Sequence, residues 1–199
     1  MNESLFYRIK KKFLSFFADI KLYPFPGFII LFGDTNYQLK GPKMRRILNE
    51  LQPGDVLVRT YKHYLGSMFT PGYWSHAAIF EGPNDVIHML GKGIVREDIL
   101  TFMRCDDVGV LRYYNGDIET IENAIENARI QLEKGIKYDY DFNTANSETF
   151  YCTEFINYCY NLNYPEDLII MPDSLFNDPE LQIVIDRENK SDDMINIRT

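Results

Sequence analysis

The sequence is poor in the residues from which disulfide frameworks and metal sites are built. It has 199 residues but only three cysteines and three histidines. The cysteines Cys105, Cys152 and Cys159 are odd in number, and no two of them have the C-x-x-C spacing of zinc or redox sites. The histidines form no H-E-x-x-H motif. The sequence therefore predicts reduced thiols, a reducing cytoplasmic compartment and no metal site.

An excess of positive charge is also lacking. Lys and Arg together number 21 against 29 Asp and Glu, which gives a formal net charge of -8. Proteins that bind nucleic acids draw much of their affinity from Lys and Arg contacts to phosphates. A nucleic-acid partner is therefore not expected.

Long hydrophobic runs are missing as well. A transmembrane helix needs about 20 consecutive apolar residues, and no such run occurs. The basic residues 10–12 are followed by a short, mainly apolar stretch, residues 13–18, before Asp19. A secretory signal needs an apolar region of ~7–15 residues and a small-residue cleavage site. We therefore expect neither a transmembrane helix nor a signal peptide.

What remains is the composition of a folded domain. Hydrophobic residues make up 45% of the chain, and 14 Tyr and 14 Phe supply large side chains for burial. The length fits one domain. We predict an N-terminal helical extension over residues 1–40, the main domain over residues 41–190 and a polar tail over residues 191–199.

The N-terminal extension begins with an amphipathic pattern over residues 4–20. Its apolar residues recur at helical spacing, and its basic residues lie between them: Leu5, Phe6, Ile9, Phe13, Phe16, Phe17 and Ile20, with Arg8, Lys10, Lys11 and Lys12. This pattern is typical of a helix that packs on its own domain. It is also typical of a helix that makes peripheral contact with an anionic membrane. Residues 28–32 form a short apolar run that fits a buried strand or an anchoring segment.

In the main domain, segments with the apolar pattern of a β-strand alternate with segments that have the apolar pattern of an α-helix. Alternating or short apolar runs bounded by turn residues predict strands, and apolar stripes at helical spacing predict helices. Strands are expected over residues 56–59, 75–80, 86–90, 93–96, 108–112 and 181–185, and helices over residues 43–51, 97–103, 117–134 and 152–160. The turn at residues 82–85 joins two of the strands into a hairpin, and residues 138–151 read as a polar, aromatic loop. The predicted fold is α+β, with a small antiparallel sheet packed against the helix that begins at Cys152.

Cys152 is the first candidate for chemistry, because it lies where a loop passes into a helix. A helix N-terminus stabilises anions, so a thiolate there is expected to have a lowered pKa and to be a better nucleophile. The free N–H groups of the first turn can also hold an oxyanion. The alternative is a buried structural cysteine, since Phe155, Ile156 and Cys159 share its helical face.

His76 is the candidate base, and His88 lies on the next strand. In a tight hairpin the two side chains can approach each other on one face of the sheet, where His88 would fix the tautomer of His76. Glu81 competes for this orienting role, although its place near the turn favours solvent exposure. A lone histidine on a strand can equally be structural.

Five segments, taken in order, carry a family resemblance. They read LQPGDVLVR at residues 51–59, FTPGYWSHAAIF at 69–80, VIH at 86–88, YDYDF at 138–142 and YCTEF at 151–155. Together they resemble the YiiX/YebB-like branch of the NlpC-type papain-like thiol hydrolases. That branch is related to the lecithin:retinol acyltransferase-like proteins, and its fold is circularly permuted, so the histidine strand precedes the cysteine helix.

The resemblance implies roles for individual residues. Cys152 corresponds to the nucleophile, His76 to the general base and His88 to the third polar position. Oxyanion or substrate-binding roles fall on three aromatic residues within the matching segments: Tyr138, Tyr151 and Trp74. We expect the Cys152 sulfur to lie about 3–4.5 Å from a ring nitrogen of His76.

The function that the resemblance implies is acyl transfer through a thioacyl-enzyme, without a metal or an organic cofactor. The expected substrate is a peptide, another amide or an ester, or an acyl chain on a lipid at a membrane surface. A catalytically silent binding module on the same fold is the alternative.

Overall fold

A computed structural model defines the architecture. It describes residues 5–18, 21–23, 29–31, 37–62, 71–114, 117–142, 148–165 and 168–187. The predicted polar tail and His63 lie outside these residues.

Five α-helices and ten strands form the described part of the chain. The helices are α1 Leu5–Ala18, α2 Gly41–Glu50, α3 Ile99–Phe102, α4 Ile118–Lys134 and α5 Cys152–Tyr160. The strands are β1 Lys21–Tyr23, β2 Ile29–Leu31, β3 Val56–Thr60, β4 His76–Phe80, β5 Asp85–Leu90, β6 Gly93–Asp98, β7 Asp107–Tyr113, β8 Lys137–Tyr138, β9 Thr149–Phe150 and β10 Leu181–Ile185. Among the described residues no helix is long and apolar enough to cross a membrane.

The main sheet has six strands in the order β10-β7-β3-β4-β5-β6. Every neighbouring pair in it is antiparallel. This confirms the predicted α+β class with an antiparallel sheet, and the hairpin of β4 and β5 forms where the turn at residues 82–85 predicts it. Its register pairs Ala78 with His88.

Strand alternation divides the core between the two faces of the sheet. One face carries Ala77 and Ile87 and packs against Phe155 and Ile156 of α5. The opposite face carries Ala78, Val86 and Leu57 and packs against residues of α2 and α3, namely Ile47, Ile99 and Phe102. Full burial of a large apolar side chain contributes about 1.5–3 kcal/mol, so these contacts fix α5 and α3 on opposite sides of the β4–β5 hairpin.

Helix α4 supports the cysteine helix from behind. Its first turn is capped by Asp117, whose side chain accepts from the Glu119 N–H, and it ends at Gly135 in the left-handed conformation, φ 63°. The Asn127 side chain donates to the Cys159 carbonyl at 3.2 Å. The orientation of α5 is therefore held by polar contacts as well as by the core.

Two parts of the chain differ from the predicted elements. The segment expected to be a loop over residues 138–151 contains β9 and part of β8, which pair in parallel beside the start of α5; residues 143–147 lie outside the described part. A 3-10 helix over Pro172–Asn177 was not predicted. For the apolar run at residues 28–32, the structure places residues 29–31 in a strand that pairs with β1.

Candidate active site

Cys152 is the first residue of α5. Tyr151 precedes it with an extended backbone, φ -92° and ψ 173°, and the Tyr151 N–H donates to the Glu154 side chain at 3.1 Å. This contact fixes the first turn of the helix. Burial of Glu154 raises the pKa of its carboxyl to about 7. The cysteine side chain is 5% exposed, so it is at once at a helix start and in the core.

The surroundings of the sulfur correct one prediction. The pKa of the Cys152 thiol is raised, because burial outweighs the lowering effect of backbone N–H groups of Ala77, Thr153 and Cys152 itself. The expectation of a lowered pKa took account of the helix terminus and not of desolvation. Cys152 is therefore a neutral thiol in the resting protein.

The contact with Ala77 brings the thiol to the start of β4. Ala77 follows His76, and the register of β4 with β5 stops at Ala78, so the first two residues of β4 extend beyond the ladder on that side. The backbone N–H of Ala77, at this end of the strand, acts on the Cys152 sulfur. Cys152 thus lies at the end of β4 that carries His76, packed with Ala77 on one face, while the His76 ring lies beside Phe102 on the face of Ala78.

His76 and His88 are in direct contact. The Nε2 atom of His76 lies 2.8 Å from the Nδ1 atom of His88. The Nδ1 atom of His76 is not part of this contact. The prediction that the two rings meet across the hairpin is confirmed.

Both imidazoles are held in the neutral form. Burial lowers the pKa of His76 well below 6.5, and the charge of Arg59 lowers it further. Burial also lowers the pKa of His88, against the opposing effect of Glu97. A neutral imidazole is the form that accepts a proton from a thiol.

A carboxylate completes the chain of polar groups behind the histidines. Glu97 Oε2 lies 3.4 Å from His88 Nε2 and 3.5 Å from Arg59 Nη1. The contact with His88 and the charge of Arg59 lower the pKa of Glu97. The sequence reasoning missed Glu97, although the β5–β6 register, in which His88 pairs with Val95, places residue 97 two positions along on the same face.

Glu81 takes no part in this chain of contacts. It lies beyond the other end of β4 and binds two arginines, with Arg96 Nε at 2.6 Å and Arg129 Nε at 2.7 Å. The prediction that Glu81 is solvated is wrong, because it is 8% exposed. Its competing role beside His76 is excluded by the same contacts.

Tyr138 lies close to the cysteine. Burial raises the pKa of its hydroxyl well above 10, and the neighbouring Cys152 adds to this effect. Its ring packs on Tyr140 with 5.0 Å between centroids. The Tyr138 hydroxyl therefore stays protonated and can act as a hydrogen-bond donor.

Trp74 and Tyr151 are both buried in the core. Trp74 stacks on Phe176 with 5.4 Å between ring centroids and is 3% exposed. The Tyr151 hydroxyl accepts from the Ile170 N–H at 2.9 Å. These contacts give both side chains a place in the packing around the site, and a role in binding substrate stays a prediction.

The described residues contain no group of three or more His, Cys, Asp and Glu side chains that can hold a metal ion. His76, His88 and Glu97 instead form a row of proton donors and acceptors. Such a row suits acid–base chemistry.

Comparisons with known proteins identify the family and the fold. The model of a family described as permuted papain-like amidase enzyme, YaeF/YiiX, C92 family, matches residues 50–188. No curated protein matches the chain. A crystal structure titled metalloprotein YiiX from Escherichia coli O157:H7 aligns with a TM-score of 0.56 at 16% identity, over 69% of this chain and 98% of that one. The predicted circularly permuted papain-like fold is thereby confirmed.

Proposed function

Because this chain belongs to the permuted papain-like amidase family, we propose that it is a cysteine-dependent amidase with Cys152 as nucleophile and His76 as general base. The observation that carries the proposal is the row of contacts at the start of β4. The thiol reaches the Ala77 N–H, and the adjacent His76 is held by His88 at 2.8 Å. A nucleophile, a base and a group that orients the base are the parts that covalent acyl transfer requires.

The first half-reaction forms a thioester. His76 Nδ1 accepts the thiol proton as the Cys152 sulfur attacks the carbonyl carbon of the amide, and the carbonyl oxygen becomes an oxyanion. Backbone N–H groups at the start of α5 and the Tyr138 hydroxyl are the donors near that oxygen. The C–N bond then breaks, and the leaving amine takes the proton from His76.

The second half-reaction returns the enzyme. Water attacks the thioester carbon while His76 Nδ1 accepts one of its protons. The C–S bond breaks, the carboxylic acid leaves, and the sulfur recovers the proton from His76. If an alcohol or amine replaces water, the same steps give acyl transfer.

No step in this sequence passes through a metal. The structural neighbour from Escherichia coli is titled a metalloprotein. The described residues of this chain offer no cluster of ligands for such an ion.

Paired variants test the proposal. Cys152→Ala and His76→Ala should each lower the hydrolysis of a panel of peptidyl and fatty-acyl p-nitroanilides by at least ~1,000-fold, because each removes a partner in the chemical step. Cys159→Ala is the matched control, since that thiol lies in the same helix and should leave turnover unchanged. A wild-type chain that cleaves no member of the panel and forms no acyl-enzyme would instead be a binding module.

A second candidate function, acyl transfer on a lipid, is favoured by the position of α1. Lys10 Nζ bonds Asp141 Oδ1 at 2.5 Å, and the Tyr7 ring packs on Tyr140 with 6.4 Å between centroids. The helix therefore lies on the segment that carries Tyr138.

The outer side of α1 has the chemistry of a membrane contact. Ile9 is 59% exposed and Phe13 is 58% exposed, and the adjacent Arg8 and Lys12 are exposed as well. Apolar side chains flanked by cations bind the interface of an anionic bilayer, with about 1 kcal/mol for each basic residue near the surface.

Vesicle sedimentation tests whether α1 binds an anionic membrane. The full chain should pellet with phosphatidylserine-containing vesicles at low salt, and the double variant Arg8→Glu, Lys12→Glu should not. The variant Arg45→Glu, Arg46→Glu is the control, because it makes the same charge change on the exposed side of α2. Equal sedimentation of both variants, or none by the wild type, would exclude the membrane contact.

A further inference from the structure

We propose that Glu97 is a positioning residue that sets the tautomer of His76 through His88, and so keeps the Nδ1 atom of His76 ready to accept a proton. The inference rests on the proposed function, because it assigns the part that Glu97 plays for the base. It depends on four side chains, one from each of four neighbouring strands: Arg59 of β3, His76 of β4, His88 of β5 and Glu97 of β6.

The row of contacts begins at a residue whose charge is fixed. Arg59 is 6% exposed, and its Nη1 atom donates to the Phe102 carbonyl at 3.0 Å. Its guanidinium carbon also lies 4.2 Å from the centroid of the Phe102 ring. The same Nη1 atom lies 3.5 Å from Glu97 Oε2, so a permanent cation stands beside the carboxylate. Glu97 is therefore anionic, and an ionised carboxylate can only accept hydrogen bonds.

An anionic Glu97 decides which nitrogen of His88 carries the proton. His88 is fully buried, and its Nε2 atom faces Glu97 Oε2 at 3.4 Å. Among the described residues no atom has the geometry of a hydrogen bond to this nitrogen, so the contact with Glu97 is electrostatic. A proton on Nε2 is attracted to the carboxylate, whereas a lone pair there is repelled by it. The neutral His88 ring consequently carries its proton on Nε2, and its Nδ1 atom is an acceptor.

The same logic then fixes His76. His88 Nδ1 accepts at 2.8 Å from His76 Nε2, which must therefore carry the proton of that ring. His76 Nδ1 is left with a lone pair, and this is the atom that takes the proton of the Cys152 thiol. Reversal of both tautomers would put a proton on His76 Nδ1 and disable the base.

Other charges near the two histidines act in the opposite sense to Glu97. Arg59 and Lys92 both lower the pKa of His88, and Arg59 lowers that of His76. Glu97 is the group that opposes them at His88. Replacement of the Glu97 carboxylate by a neutral amide should therefore allow His88 to carry its proton on either nitrogen, and it introduces no new charged group.

Nitrogen NMR of the imidazole rings tests the inference directly. The chain has three histidines, and the His63→Gln variant removes the signals of one of them. The remaining signals belong to His76 and His88, which are recognised as a pair by the coupling across their hydrogen bond. In the wild type at neutral pH, both rings should be protonated on Nε2 and bare on Nδ1. In Glu97→Gln, His76 should become a mixture of tautomers, because a glutamine side chain can turn either its oxygen or its nitrogen toward His88.

Activity provides the second measurement. Glu97→Gln should lower kcat/KM by roughly 10–100-fold, and Glu97→Asp should restore part of the loss, as for other groups that orient a ligand or a base. Glu133→Gln, on the exposed side of α4, is the control and should change neither activity nor tautomer. If Glu97→Gln does not fold, the wild-type and Glu97→Asp spectra still decide.

The outcomes separate the inference from the proposed function. A wild-type His76 protonated on Nδ1, or tautomers unchanged in Glu97→Gln, would overturn the role of Glu97 even in an active amidase. A protein with the expected tautomers but without an acyl-enzyme would leave the positioning role intact and contradict the amidase.

Discussion

At the scale of single residues, the three cysteines differ in what surrounds the sulfur atom. Cys152 has backbone N–H groups directed at it, including that of Ala77. Burial raises the pKa of Cys105 to about 12, and burial alone raises that of Cys159 well above 9. A developing thiolate is therefore stabilised most at Cys152.

A short pulse of iodoacetamide should label Cys152 ahead of the other two cysteines in the folded protein, since the thiolate is the reacting species. Peptide mapping by mass spectrometry reports the order. In urea the three thiols should label at similar rates, which shows that the fold and not the local sequence makes the difference. Equal labelling in the folded state would argue against an activated cysteine.

The sequence predicted contacts between side chains correctly where a single hairpin brings two residues to the same face of the sheet. It predicted the meeting of His76 and His88 because the hairpin fixes their register. It did not find Glu97, which joins them from a further strand. It also gave the wrong direction for the pKa of Cys152, since the desolvation of a side chain depends on what the rest of the chain packs over it.

At the scale of elements, a glycine sets the distance between β7 and the layer that holds Trp74. A Cβ atom added at Gly109 would lie 2.9 Å from a Trp74 ring carbon, 2.9 Å from a Phe176 ring carbon and 3.1 Å from a Val58 methyl. These contacts are shorter than the van der Waals separation of carbon atoms. Gly109 thus allows the residues just before His76 to pack on the sheet.

We expect Gly109→Ala to lower the free energy of unfolding by about 1–3 kcal/mol, as overpacking of a filled core does. The midpoint of urea unfolding measures it. Gly41→Ala is the matched control, because a Cβ atom there meets nothing closer than 3.8 Å and should change little. An unchanged midpoint for Gly109→Ala would mean that Trp74 is not tightly seated.

The elements themselves were largely predictable, because their signals are local. The α4 pattern between Asp117 and Gly135 contains its own start and stop signals. The parallel pair β8 and β9 was missed because each strand is two residues long, and their pairing depends on contacts formed by other segments. The order of strands in the sheet was not predicted, because it depends on pairing between distant segments and not on any local pattern.

At the scale of the whole molecule, one buried ion pair joins distant parts of the chain. Lys43 Nζ of α2 bonds Asp107 Oδ1 of β7 at 2.5 Å and also donates to the Asp186 carbonyl at 2.9 Å. Asp107 Oδ2 accepts from the Tyr73 hydroxyl at 2.7 Å. The beginning and the end of the main domain are therefore tied to the segment that leads into His76.

Lys43→Met should lower the free energy of unfolding by about 3–5 kcal/mol, because it removes one partner of a buried ion pair. The exposed neighbour Lys40 provides the control, and Lys40→Met should change stability by less than about 0.5 kcal/mol. Chemical unfolding monitored by Trp74 fluorescence measures both. Equal stability of the two variants would show that the ion pair does not hold the domain together.

The measurement that tests the proposed catalytic pair most directly is the distance between the Cys152 sulfur and His76 Nδ1 in a crystal structure of the unmodified protein. The predicted distance is about 3–4.5 Å, the reach of an unliganded nucleophile and base. The His76 ring lies near Phe102, with 6.2 Å between centroids, and the Ala77 side chain points to the other face of the sheet. A sulfur confined to the Ala77 side, with core side chains between it and the imidazole, would contradict the assignment of Cys152 and His76 as a catalytic pair.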